Sequence, residues 1–230
     1  MVTSFLAAYL CTKAKSDQGM EELTEMMTNP FDGLKEDDRD GFQRKCSMIA
    51  EKLFRNYCLN CNGIDYFLAE LEFYYYDKDR FFAKWNTCTY PRTNKNACDL
   101  FFHESGLDIC FNSDFSKGAF GGILIRSLIR KTNDGATAYI TGPLVCAKEI
   151  INACSAIHSL PTIKRLSLRD CIIETTKRYG ISDDPDDLNL CYYDVRITDH
   201  LTNKFENESW DYKKKLPKNI TRYYSKRFSK

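Results

Sequence analysis

Two carboxylates stand two residues apart in an otherwise apolar run. They are Glu70 and Glu72, in the stretch Ala69-Glu70-Leu71-Glu72-Phe73-Tyr74-Tyr75-Tyr76-Asp77. The surrounding residues 64–76, rich in aromatic and aliphatic side chains, read as a β-strand. Side chains alternate across a strand. Glu70 and Glu72 therefore share a face with Leu68, Tyr74 and Tyr76, while Phe67, Ala69, Leu71, Phe73 and Tyr75 share the other. Either the carboxylates face water on a half-buried strand, or they face a site. Arg126 raises the same question inside Leu124-Ile125-Arg126-Ser127-Leu128. A buried, unpaired charge is costly, so this arginine needs a partner or an exposed face.

Other chemistry-bearing patterns are thinner. Cys58-Leu59-Asn60-Cys61 is a single CxxC, and Cys88, Cys98 and His103 are scattered. A structural zinc site needs four converging ligands, so small buried or turn cysteines are the expected reading, with no metal and no cofactor. His103 reads as a satisfied structural residue. Gly118-Ala119-Phe120-Gly121-Gly122 lacks the lysine of a phosphate-binding loop and reads as a hairpin turn. No Ser-His-Asp order, HExxH or calcium-loop pattern is visible.

The 230 residues suffice for one substantial domain, and 43% hydrophobic content allows a real core. A net charge of +1 favours no class of partner in bulk. Its distribution is uneven. Residues 17–40 are acid-rich, whereas Lys213, Lys214, Lys215, Lys218, Arg222, Lys226, Arg227 and Lys230 make the C-terminus basic, threaded with Tyr212, Tyr223, Tyr224 and Phe228. Cations that replace counterions and rings that stack on bases suit a nucleic-acid strand; a solvated tail is the plainer reading. Eleven cysteines without a secretory leader point to free thiols inside a cell. The apolar run Phe5–Cys11 is too short to cross a bilayer, so no membrane role is expected.

The elements that must position these residues follow from periodicity. Ser4 to about Met27 reads as a helix. Asp38 to Tyr57 reads as a second, with Phe42, Cys46, Ile49, Leu53 and Phe54 on one face. Asn60–Gly63 is a turn. Leu100–Phe111 reads as two short strands about Glu104-Ser105-Gly106, and Ile123–Ile129 as another strand. Gly142-Pro143 opens a helix to Ala156, and Leu190–Thr198 alternates as a strand. The expected fold is α/β, of the α+β kind: one domain with a curved, mostly antiparallel sheet flanked by helices. Residues 1–62 form a helical extension packed on a core of 63–210, and 211–230 form a basic aromatic tail.

Five pieces, in order, resemble the human-type alkyladenine (3-methyladenine) DNA glycosylases. Glu70-Leu71-Glu72-Phe73-Tyr74 resembles that family's E-x-E-A-Y strand, and Tyr90-Pro91-Arg92 its T-P-R. Gly106-Leu107-Asp108-Ile109-Cys110-Phe111-Asn112 is similar to its Y-G-M-x-x-C-x-N hairpin. Leu124–Leu128 resembles L-L-R-A-L, and Thr141-Gly142-Pro143-Leu144-Val145-Cys146 resembles S-G-P-x-x-L-C. The resemblance spans residues 70–146. It implies that Glu72 activates water and that Arg126 helps hold the water and the carboxylate. N-glycosidic cleavage suits a carboxylate, which takes the proton and stabilises the charge developing on the sugar. Glu70 on the same face raises the Glu72 pKa by like-charge repulsion, and an Arg126–Glu72 pair satisfies both charges.

The resemblance also implies a base pocket of Tyr74, which stacks on the flipped base, Asn112, which restricts entry, Phe73 and Ala83. It implies DNA contacts from Ser105, Gly106, Arg92 and the helix start at Gly142, joined by Lys213, Lys214, Lys215 and Arg222 of the tail. Two positions depart from the pattern. Ala83 stands where the family has a histidine, which alters one pocket wall. Ser105 stands where the family inserts a tyrosine into the duplex, and is too small for that task. The expected function is a monomeric, intracellular DNA glycosylase-like protein that flips a damaged or modified base from duplex DNA and hydrolyses its glycosidic bond. The rivals are a non-catalytic nucleic-acid- or partner-binding protein on the same fold, and an N-glycosidase acting on RNA or nucleosides.

Overall fold

The structure is a computed structural model; it describes residues 11–12, 20–35, 38–77, 95–113, 118–131, 137–155, 160–178 and 188–195. These form one α+β domain: a curled antiparallel sheet with three helices.

Helix α1 (Glu21–Thr28) leads to α2 (Arg39–Asn56). The start of α2 is set by Asp38, whose carboxylate accepts from the Gly41 amide at 2.7 Å. That bond satisfies one of the amides a helix start leaves open. Asp38→Ala is expected to cost about 1 kcal/mol, read as a lower urea midpoint with an unchanged slope. Phe42, Cys46, Ile49, Ala50, Leu53 and Phe54 are buried along one side of α2.

Strand β2 (Tyr57–Cys61) follows α2 directly, and Asn62 and Gly63 turn it into β3 (Ile64–Asp77). Both turn residues have positive φ, 55° and 81°, as a two-residue hairpin loop matched to strand twist requires. Four strands come next: β4 (Leu100–His103), β5 (Gly106–Cys110), β6 (Ala119–Lys131) and β7 (Thr137–Thr141). Helix α3 (Pro143–Ser155) separates them from β8 (Thr162–Arg165), β9 (Ile173–Thr176) and β10 (Cys191–Asp194). Two residues, Cys11–Thr12, form β1.

The strand order is β1-β4-β5-β6-β3-β10-β9, with β7 beside β6 and β2 joining β3 to β8. The spine is the long β3–β6 pair, in register from Tyr66↔Arg130 to Asp77↔Ala119. A bulge interrupts it between Leu68 and Leu71, where Glu70 lies opposite Ser127. Bulges re-aim side chains and sharpen local twist. This one falls at the first of the two carboxylates.

On one side of the spine an aromatic core joins the N-terminal segment to the sheet. The Phe31 ring lies 4.4 Å from Phe42 and 4.5 Å from Tyr75, and Phe73 lies 5.2 Å from Tyr192. Each such side chain contributes roughly 1.5–3 kcal/mol by burial. Gly121 lets β6 approach β3: a Cβ there would lie 2.4 Å from the Tyr74 carbonyl oxygen and 2.9 Å from Tyr75 Cα. Gly121→Ala must therefore push two backbones apart. A loss of about 1–3 kcal/mol is expected in chemical denaturation; a neutral result would show that the strands separate freely.

Several elements differ from the expectation. Cys11–Thr12 do not continue a helix from Ser4; they pair with Leu100 and Phe101 on the outer edge of β4. An unpaired strand edge offers backbone groups that local helical periodicity cannot foresee. Gly121 and Gly122 lie inside β6 rather than in a hairpin turn, opposite Tyr75 and Tyr74. Residues 57–61, read as a helix end and turn, are a sheet strand, and β7, β8 and β9 lie beyond the region where strands were expected. The alternating segment 190–198 provides the strand Cys191–Asp194. No helix among the described residues is long and apolar enough to cross a membrane.

Candidate active site

Cross-strand partners point to the same side of a sheet. Glu72 pairs with Leu124 on β6 and Cys191 on β10, and Cys191 pairs in turn with Thr176 on β9. One row therefore crosses four strands on the side opposite the aromatic core. Glu70 and Tyr74 flank Glu72 on that side, and Arg126 reaches across from β6.

The Arg126 guanidinium bonds the Glu72 Oε2 atom directly. Its Nε lies 3.3 Å from Glu70 Oε1, in ion-pair range. The Tyr74 hydroxyl donates to Glu72 Oε1 at 2.6 Å. Glu70 is held by the Ser127 hydroxyl, which donates to Oε2 at 2.8 Å, and by the Cys191 thiol, 3.6 Å from Oε1. The bulge explains how Arg126 and Ser127, adjacent in sequence, both serve Glu70.

The cluster is withdrawn from solvent. Glu72 has 0% exposure, Glu70 3% and Arg126 8%; Tyr74 is half-buried. Burial holds the Glu72 carboxyl above the usual carboxylate range, against the pull of Arg126 and the Tyr74 hydroxyl, and the Glu70 charge adds to the rise. Burial works against the Arg126 charge too, but Glu72 and Glu70 outweigh it and hold the guanidinium above its ordinary value. The Tyr74 phenol is raised by burial and by the Glu72 charge.

A further guanidinium stands beside them. Arg178, at 1% exposure, puts its Cζ 5.3 Å from the Tyr74 ring centroid and donates to the Phe73 carbonyl at 3.4 Å. Sequence reading missed it, and missed Ser127 and Cys191. The available signal for Arg178 was weak: an arginine two residues past a short polar segment, directly after Lys177.

The expected site residues divide into four groups. Glu72, Arg126 and Tyr74 meet. Gly106 and Gly142 lie beside them: the Gly142 amide donates to the Arg126 carbonyl at 2.8 Å, and a Cβ on Gly106 would lie 2.9 Å from Leu124 and 3.0 Å from Pro143. Gly142 has φ +100°, which suits glycine, and its carbonyl accepts from Cys146 to open α3. Ser105 sits in the β4–β5 turn between His103 and Gly106. Phe73 is not in the cluster; its ring packs in the aromatic core against Phe111 and Tyr192, because alternation sends it to the other side. Asn112 lies past the end of β5, half-buried, its amide bonded to the Met27 carbonyl. Ala83, Arg92, Lys213, Lys214, Lys215 and Arg222 lie outside the described residues.

His103 has both ring nitrogens engaged. Nδ1 accepts from the Ser105 amide at 3.3 Å, and Nε2 lies 3.2 Å from the buried Asp108 carboxylate. That arrangement fixes the turn. Cys58 and Cys61 are among nine buried free cysteines, and no group of three or more potential metal ligands occurs among the described residues.

Chemically, the cluster offers an oriented carboxylate with a guanidinium against it. A carboxylate has about four acceptor positions. Tyr74 and Arg126 take one on each Glu72 oxygen, leaving each oxygen able to accept from a water. In comparisons with known proteins the chain matches no family model, no curated protein and no solved structure.

Proposed function

We propose that this protein is a DNA glycosylase-like N-glycosidase that receives a flipped, modified base and hydrolyses its glycosidic bond with a Glu72-activated water. The observation that carries this reading is the meeting of Glu72, Arg126 and Tyr74, which resemble the catalytic carboxylate, its arginine and the base-stacking tyrosine of the alkyladenine DNA glycosylases. In the proposed reaction the water oxygen bonds to the anomeric carbon and its proton passes to Glu72. The carbon–nitrogen bond breaks, and its electron pair leaves on the base. Ionised Glu72 also stabilises the positive charge on the sugar. Arg126 orients the carboxylate and keeps its negative charge tolerable in a dry setting. Tyr74, half-buried and bonded to Oε1, is the member that an arriving base meets.

A non-catalytic binding protein on the same fold is the second reading. The observation favouring it is that Glu72 has no exposure while both its oxygens already hold donors.

The test is base release from duplex and single-stranded oligonucleotides carrying alkylated, deaminated or hypermodified bases, with Glu72→Gln as control. Abasic product from the wild type alone supports the enzyme. Salt-sensitive binding without product from any substrate supports the binding protein. Neither product nor binding removes both.

A further inference from the structure

We infer that the base taken by this site is uncharged and departs as an anion, and that cationic alkylated bases are disfavoured, because Arg178 already occupies a face of the Tyr74 ring. This inference rests on the glycosylase reading and names its substrate class. The Arg178 Cζ lies 5.3 Å from the ring centroid, and the side chain is 1% exposed, so the cation is fixed within the protein rather than sampled from solution. An aromatic ring attracts a cation through the negative potential of its faces. A ring with a guanidinium on one face presents a weakened potential on the other. A positively charged base stacked there would set two cations about one ring.

The rest of the cluster offers such a base little compensation. Arg126 engages Glu72 and stands against Glu70.

Leaving-group chemistry points the same way. When the carbon–nitrogen bond breaks, its electron pair goes to the base. A cationic base then leaves neutral, and its own charge supplies the driving force. An uncharged base leaves as an anion, which afterwards takes up the proton that Glu72 removed from water. A guanidinium fixed behind the ring on which that base stacks stabilises the developing anion. Arg178 suits the uncharged base in both the stacked and the departing state.

The experiment compares two duplexes in one sequence context, one carrying 7-methylguanine (cationic) and one carrying hypoxanthine (uncharged). Release rates, each divided by the spontaneous release rate of the same duplex, are measured for wild type, Arg178→Met and Arg178→Lys, and binding of both duplexes is measured with Glu72→Gln, so that a readout remains if turnover is slow. The expected result is a preference for the uncharged base of about tenfold or more. Arg178→Met is expected to shrink that ratio, and Arg178→Lys to keep most of it. Faster release or tighter binding of the 7-methylguanine duplex overturns the inference and leaves the glycosylase reading intact. So does an equal preference in wild type and Arg178→Met. Absence of release with either base, together with binding that ignores the lesion, overturns both. Because the wild-type ratio alone decides the sign, a poorly folded Arg178→Met does not protect the proposal.

Discussion

Glu72→Gln is expected to lower base release at least about a hundredfold while leaving the protein folded. Glutamine keeps the shape: its single carbonyl oxygen can accept from Arg126 while its NH2 donates to the Tyr74 hydroxyl, but it cannot take a proton from water or carry negative charge opposite the sugar. Arg126 retains Glu70 as a counter-charge, so the substitution does not strand it. The wild-type rate should fall on the acid side, and should begin to fall above the usual carboxylate range, because burial raises the Glu72 pKa and only the ionised form accepts the proton.

Stability should carry the same signature. With its folded-state pKa raised, Glu72 binds its proton more tightly in the folded protein than in the unfolded chain. Its stabilising contribution is complete below the unfolded value, about pH 4, and is lost as pH rises through the raised folded value. Glu72→Gln cannot ionise, so its stability relative to wild type should improve as pH rises from about 4 to 7. Denaturant titrations at several pH values read this directly. A relative stability that worsens with pH would mean that pairing outweighs burial at Glu72.

Arg126→Met is expected to cost about 3–5 kcal/mol near neutral pH. The guanidinium stands between two buried carboxylates, and methionine fills similar space without charge. Its loss leaves Glu70 and Glu72 facing one another with no cation between them. Breaking a buried ion pair is costly chiefly because the surviving charge stays buried. The penalty should shrink in acid, where protonated Glu72 no longer needs a counter-charge. Combined with Glu72→Gln, the substitution should cost less than the two separate effects predict, since one of the stranded charges is gone. Arg126→Lys should recover only part of the loss, because an ammonium lacks the planar fork that spans two carboxylates. A loss below about 1 kcal/mol, or equal losses at pH 4.5 and 7, would show that Arg126 does not neutralise the pair.

These two results bear on different properties of the site. The first asks whether the carboxylate performs chemistry; the second asks what keeps it in place. Loss of activity from Arg126→Met alone would not separate the two, because the variant moves Glu72 as well. Glu72→Gln, which keeps the side-chain shape and the bond from Arg126, carries the chemical conclusion.

Much of this protein's architecture was decided by local sequence. The spacing of Phe42, Cys46, Ile49 and Leu53 dictates α2, Asp38 marks its start, Asn62-Gly63 demands a tight hairpin, and Pro143 opens α3. The alternation of β3 alone put Glu70, Glu72 and Tyr74 on one side and Phe73 on the other. Period and turn chemistry operate over a few residues, so they can be read without knowing what lies across the sheet. What a strand pairs with is a different kind of fact. Arg126 meets Glu72 across 54 positions, and Arg178 reaches the Phe73 carbonyl across 105. Those contacts depend on sheet order, on register and on the bulge that turns Ser127 toward Glu70, none of which has a local signal. Tertiary structure likewise drew Cys11–Thr12 onto a sheet edge and made Tyr57–Cys61 a strand, because open backbone groups had to be satisfied there. The carboxylates belong to the sequence. Their dryness, their cation and the second guanidinium over Tyr74 belong to the fold, because burial and charge pairing exist only once distant strands lie side by side.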